Sequence, residues 1–183
     1  MPCLLVILVE LSILKLFEYI NLKKRDIRCT KKLIILSLPI LLAACAAPKY
    51  TVETISKENQ SKEITIVKDN ATRDVFLDSM QDWCLDTAHK CTVVSDGTPP
   101  VSSELTLTYV SRWSWDFRTF IADAQIKAYK NNEKVGQVEF KAPNSANPDK
   151  WGKDNKRIIS MMDLLFGKQT VSEAQSKIKL GEM

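Results

Sequence analysis

Residues 104–115 (Glu104-Leu-Thr-Leu-Thr-Tyr109-Val-Ser-Arg112-Trp113-Ser-Trp115) decide the fold of this chain. Successive side chains of a strand point to opposite faces, so residues two apart share a face. Leu105, Leu107, Tyr109, Ser111, Trp113 and Trp115 therefore lie together, with Thr106, Thr108, Val110, Arg112 and Ser114 behind them. A period of two held this long predicts a strand with one covered face. Residues 116–119 read as a turn, and 120–129 (FIADAQIKAY) alternate again. Asn131-Asn132 makes the next turn, and 135–140 (VGQVEF) pair back. The sum is a three-stranded antiparallel meander.

Working outward, residues 63–67 (EITIV) are β-branched and alternating, which predicts another strand. Asn70 or Thr72 can cap a helix over 71–87. In it Val75, Phe76, Met80, Trp83 and Cys84 share one side, while Arg73, Asp74, Asp78, Asp82 and Asp86 tend to the other. The acidic stripe, at i, i+4 spacing, reads as a solvated face. Residues 91–94 (CTVV) form a short strand that ends in the breakers Gly97, Pro99 and Pro100. A last helix is expected from residue 151 or 154 to 166, with Ile158, Ile159, Met162 and Leu165 together and Gly167 past its end. The order β-α-β-β-β-β-α predicts an α+β fold: a two-layer sandwich with a mainly antiparallel sheet and both helices on one face. This domain is expected over residues 62–170, followed by a polar C-terminal tail at 171–183.

The front of the chain has another character. Lys31 and Lys32 precede a short apolar run at 33–41, which ends in Leu42-Ala43-Ala44-Cys45. The run has the length of a signal-peptide core and is too short to span a membrane. Basic segment, apolar core and Leu-Ala-Ala-Cys in this order resemble the lipobox of bacterial lipoproteins. The resemblance implies cleavage between Ala44 and Cys45, a diacylglyceryl group on the Cys45 thiol and acylation of the new amino terminus. Several acyl chains, at ~0.8 kcal/mol per buried CH₂, hold a protein on a membrane without any spanning segment. In such proteins an aspartate after the cysteine favours retention in the inner membrane. Ala46 stands there, so the implied location is the outer membrane, facing the periplasm.

Residues 45–61 are expected to be a lipid anchor and polar tether with too little apolar surface to fold alone. Residues 3–20 are apolar but interrupted by Glu10, Lys15 and Glu18. They read as a surface helix, as a second export signal, or as a segment upstream of the true start. The last is preferred here, with translation beginning at a non-Met codon between Leu22 and Thr30.

Charge follows the same division. Residues 1–44 hold seven Lys/Arg against three acids, which leaves 19 of each sign beyond them (26 less 7, 22 less 3). The formal +4 thus belongs to the targeting segment, and a neutral domain lacks the basic excess of a nucleic-acid binder. No nucleic-acid partner is expected.

Cys84 and Cys91 follow the anchor. Export to an oxidising compartment makes a disulfide the expectation; the other reading leaves them as buried small apolar residues. A metal site from these two and His89 is a ligand short, so no metal is expected. His89, the only histidine, reads as an exposed residue of a helix-to-strand connector. No serine sits in a G-x-S-x-G turn, and no phosphate-binding glycine loop occurs. Neither a catalytic set nor a cofactor site is expected.

Arg112, Trp113, Trp115 and Asp116 stand out as a candidate binding surface. On one reading both tryptophans join Trp83, Leu105 and Leu107 in the core. On the other they form a platform, with Arg112, Asp116 and Arg118 supplying polar contacts. The run Tyr109-x₃-Trp113-x-Trp115-Asp116, then an aromatic and Ala124-x-Ile126-x₂-Tyr129, resembles an uncharacterised family of small proteobacterial envelope lipoproteins. That similarity covers residues 64–166, with Phe120 where relatives more often carry tyrosine. The element order is also similar to envelope-assembly lipoproteins and to the amino-terminal domain of the Tol-system propeller protein. Those act through protein partners, an analogy of fold alone. The expected function is a membrane-anchored, non-enzymatic binding or accessory protein with a partner in the envelope. The alternative is a small periplasm-facing hydrolase or glycan-binding domain built on residues 112–116.

Overall fold

The computed structural model describes residues 49–101, 103–143 and 147–183, and these belong to one compact unit. The expected strands and helices form where their periodicity places them. Strands β1 (Lys49–Glu53), β2 (Glu63–Val67), β3 (Lys90–Val94), β4 (Leu105–Asp116), β5 (Arg118–Lys130) and β6 (Glu133–Lys141) alternate with helices α1 (Asp74–Asp86), α2 (Asp154–Leu165) and α3 (Val171–Lys179). A short 3₁₀ turn, Pro148–Trp151, precedes α2.

Among the described residues one mixed sheet runs in the order β1-β6-β5-β4-β2-β3. The β4-β5-β6 meander is antiparallel as expected, and β1 adds to it antiparallel. Strand β2 pairs parallel with both β3 and β4, so the sheet is mixed. With β2 central, Ile64, Thr65, Ile66 and Val67 are all buried, as a strand covered on both faces requires. Asn131 and Asn132 both take positive φ between the paired Lys130 and Glu133. That is the two-residue hairpin geometry whose twist suits antiparallel strands, and asparagine tolerates it.

Helices α1 and α2 pack together over one face of the sheet. The Phe76 ring of α1 stacks on Tyr109 of β4 with centroids 4.9 Å apart. Trp83, fully buried, donates its indole N–H to Asp163 of α2 at 2.8 Å, so the largest core side chain leaves no unpaired donor. The acidic residues Asp74, Asp78, Asp82 and Asp86 are exposed. Helix α1 begins later than expected, because the Thr72 hydroxyl accepts the Ser111 N–H of β4 at 2.9 Å instead of capping the helix. None of the described helices is long and apolar enough to cross a membrane.

The folded unit exceeds the expected 62–170 at both ends. Lys49–Glu53, read as tether, is an edge strand on β6 with Tyr50 buried, and Ile55 beyond it is 1 % exposed. Its alternation is visible in KYTVE, but five residues fold only because β6 offers an unpaired edge. The expected polar tail contains α3, which opens with a capping box between Thr170 and Glu173 and buries Ala174 and Ile178, with Met183 buried beyond its end. The signal region, the cleavage position, Cys45 and the start of the tether lie outside the described residues.

Candidate functional site

The β4–β5 hairpin is the longest pair in the sheet, and its end carries the candidate segment. The expected turn over 116–119 is tighter in the structure: Asp116 pairs with Arg118, and Phe117 alone makes the reversal at φ 59°. A side chain other than glycine, asparagine or aspartate in this left-handed region is unfavourable. A bulge at Ala122 resets the register, so that Arg112 faces Asp123 and Trp113 faces Ile121.

These features send the four candidate residues to different places. Arg112 forms an ion pair with Asp123, both on the uncovered face beside Val110. Trp113 packs half-buried against the core, its N–H donating to Ser111 at 2.7 Å and the Arg73 guanidinium 4.9 Å from its ring centre. Asp116 accepts from the ammonium of Lys150, which is 1 % exposed. Trp115 stands 70 % exposed, and Phe117 beside it 83 %, with ring centres 6.4 Å apart. The expectation that both tryptophans enter the core therefore fails for Trp115, because the covering layer reaches Trp113 and stops short of the hairpin end. Arg112 and Asp116 are each held by an ion pair with a residue outside the set, Asp123 and Lys150.

Beneath the hairpin end lies a pair of buried cations, Lys150 and Arg157, that the expected core did not include. The Lys150 ammonium sits 4.6 Å from the Trp151 ring centre and 5.5 Å from that of Phe120. Arg157, fully buried in α2, donates to the backbone carbonyls of Lys150 (2.7 Å) and Asp149 and lies 5.1 Å from the Phe140 ring centre. A Cβ at Gly152 would overlap this guanidinium, so glycine lets the loop close over it. Burial lowers the Arg157 pKa and raises that of Asp154 beside it. Burial likewise pushes Tyr50 up to about 12. One signal was available: Arg157 lies at i−4 and i−7 from the core residues Met161 and Leu164, which puts it on the buried stripe.

Cys84 and Cys91 form a disulfide that ties the end of α1 to β3, with Cα atoms 6.1 Å apart. His89 is not the exposed residue expected. Its ring stacks on Trp83 at 4.8 Å, meets Phe166 at 5.5 Å and shares a 2.7 Å hydrogen bond with Thr87. Desolvation first, then Lys62 and Lys168, lower its pKa. Among the described residues no cluster of three or more His, Cys, Asp or Glu could hold a metal.

A shallow hollow of about 380 Å³ lies on the uncovered sheet face, lined by Lys49, Thr51, Val110, Gln125, Glu139 and Lys141. Gln125 and Gln137 both donate to Glu139, at 2.5 and 2.6 Å. Its lining carries side chains of both charges around Val110.

No protein-family model and no curated protein matches the chain, so the resemblance of Tyr109 to Tyr129 rests on its motif alone. Among solved structures the chain is similar to a minor lipoprotein from Acinetobacter baumannii. The identity is 7 %, over 66 % of this chain and 94 % of that one, with a TM-score of 0.26. A likeness that weak carries no argument about mechanism.

Proposed function

We propose that this chain is a bacterial envelope lipoprotein, held by lipid on Cys45 at the periplasmic side of the outer membrane. There it acts without catalysis, as a binding or accessory protein on a protein partner. The observation that carries the reading is the run of basic residues, apolar core and Leu42-Ala43-Ala44-Cys45, only four residues before the first strand at Lys49. A domain so close to its anchor works at the membrane surface. The uncovered sheet face, with Val110 half-exposed among Lys49, Glu139 and Lys141, offers a partner both apolar area and charges of both signs.

Two measurements test this. Cells fed labelled palmitate should label the protein at Cys45 and release it from the membrane fraction when Cys45→Ser is introduced; absence of label in the wild type defeats the anchor. A photo-crosslinking side chain at position 110 should give a discrete adduct with one envelope protein, while the same group at exposed position 85 on α1 should not. Equal, diffuse labelling from both positions defeats the partner surface.

A further inference from the structure

The exposed pair Trp115 and Phe117 is the most apolar feature of the described surface that the proposed function leaves unused. The other strongly exposed apolar residues, Leu85 on α1 and Leu180 just past α3, are aliphatic. Phe117 also occupies a positive-φ position where glycine or asparagine would cost less. A strained tip that presents a ring to solvent calls for a functional explanation.

The register across the sheet says what this tip faces. Lys49 pairs with Lys141, Lys141 with Asp123, and Asp123 with Arg112, so these four residues form one row across β1, β6, β5 and β4. Each of the three pairings is antiparallel. Strand β4 therefore runs onward from that row toward Trp115 in the direction from which the chain enters β1. At ~3.3 Å per residue, the four steps from Arg112 to Asp116 extend ~13 Å beyond the row. The four steps from Lys49 back to Cys45 reach at most ~14 Å. The row itself spans three strand spacings, ~14 Å. The aromatic tip thus lies at the end of the sheet where the chain enters β1, and the four residues from Cys45 to Lys49 keep a lipid on Cys45 within ~14 Å of that strand's first residue.

From this geometry we infer that the Trp115–Phe117 hairpin tip is a second membrane contact, inserted in the headgroup region of the bilayer that holds the acylated Cys45. Tryptophan favours that region because its ring is apolar and its N–H can stay hydrated. Exposed Lys49, Arg118 and Lys141 lie at the same end and complement anionic lipid. The tip fixes the domain's orientation, because one flexible lipid link alone lets it rotate freely. Such an orientation would point the open sheet face consistently past the membrane surface.

The inference rests on the anchor reading, and its test separates the two. The acylated full-length product is reconstituted into vesicles of phosphatidylethanolamine and phosphatidylglycerol with brominated acyl chains. Bromine quenches tryptophan only near the bilayer, and Trp115 is the one exposed tryptophan among the described residues; Trp83 is buried and Trp113 and Trp151 are half-buried. Wild-type emission should be quenched, and Trp115→Phe should lose most of that quenching while unfolding at the same denaturant concentration. Phe117→Ser should reduce the quenching of Trp115. Palmitate on Cys45 with no bromine quenching, or with equal quenching in Trp115→Phe, overturns the tip contact and leaves the anchor standing. Protein-only adducts from a photo-crosslinker at position 117 would assign the tip to a protein partner and likewise overturn it. Failure to acylate Cys45 removes the anchor and the inference together.

Discussion

Truncating Ile55 asks whether the segment before β2 is tether or core. Ile55 is 1 % exposed, and its N–H donates to the Leu165 carbonyl at 2.9 Å, a bond that Ile55→Ala retains. The loss is therefore apolar: about three buried carbons at ~0.8 kcal/mol each, or ~2.4 kcal/mol of transfer. The unfilled space raises the cost to about 3 kcal/mol, inside the range for buried Ile→Ala changes. The neighbour across the contact is Gly136, where a Cβ would come within 2.6 Å of the Ile55 Cγ1. Gly136→Ala alone should thus destabilise by crowding. In the Ile55→Ala background that clash is gone, and the remaining neighbours, the Glu53 carbonyl and a Leu165 methyl at 3.1 Å, require only small shifts. The double variant should be more stable than the sum of the single effects predicts, by about 1 kcal/mol or more. Urea unfolding of the four forms, in one Cys45→Ser background with the disulfide intact, measures this cycle. An Ile55→Ala effect within about 0.5 kcal/mol, the range of ordinary surface changes, or a coupling of zero, would refute the packing argument.

Three other expectations follow from particular contacts. Replacing both Cys84 and Cys91 by alanine should cost about 2.5 kcal/mol in the chain-entropy account of so short a loop, and reductant should lower the wild-type melting temperature but not that of the variant. His89 is held neutral by burial against Trp83 and by Lys62 and Lys168, so its folded pKa lies below the ordinary 6.5. The unfolded chain then takes the proton first: the stability from neutral His89 is present above pH 6.5 and is lost as pH falls through the folded value. Melting temperatures between pH 7.5 and 5.5 should accordingly fall less steeply in His89→Gln than in the wild type, and parallel slopes would count against this. Phe117→Gly should leave stability unchanged or raise it by up to about 1 kcal/mol, because relief of the positive φ offsets the added freedom of the unfolded chain; a denaturation midpoint clearly below wild type would show that the ring supports the fold.

Much of the architecture was legible because it is local. The alternation of residues 104–115 and 120–129, the Asn131-Asn132 turn and the 3.6-residue spacing of α1 and α2 depend on near neighbours. Each is written in a window of a dozen residues. The acidic stripe of α1 was readable for the same reason. The parallel pairing of β2 with β3 and β4 was not, since β2 carries no mark of which edge it will meet. Strand β1 and helix α3 were read as tether and tail because each holds only a few apolar residues: Tyr50 and Val52, or Ala174 and Ile178. Such segments gain order only when β6 and the covering layer supply what they bury against.

At the hairpin, sequence alone determined that Trp113 and Trp115 share parity on a strand and that Asp116 follows them. It also placed the basic run, the apolar core and Leu42-Ala43-Ala44-Cys45 in their order ahead of the domain. Tertiary structure alone decided that Trp113 is covered and Trp115 is bare, and that Asp116 answers the buried ammonium of Lys150. It alone brought the aromatic tip to the end of the sheet where the chain enters β1. The reason is physical: the direction of a side chain follows from the local backbone, whereas its burial and its charge partner depend on elements distant in sequence.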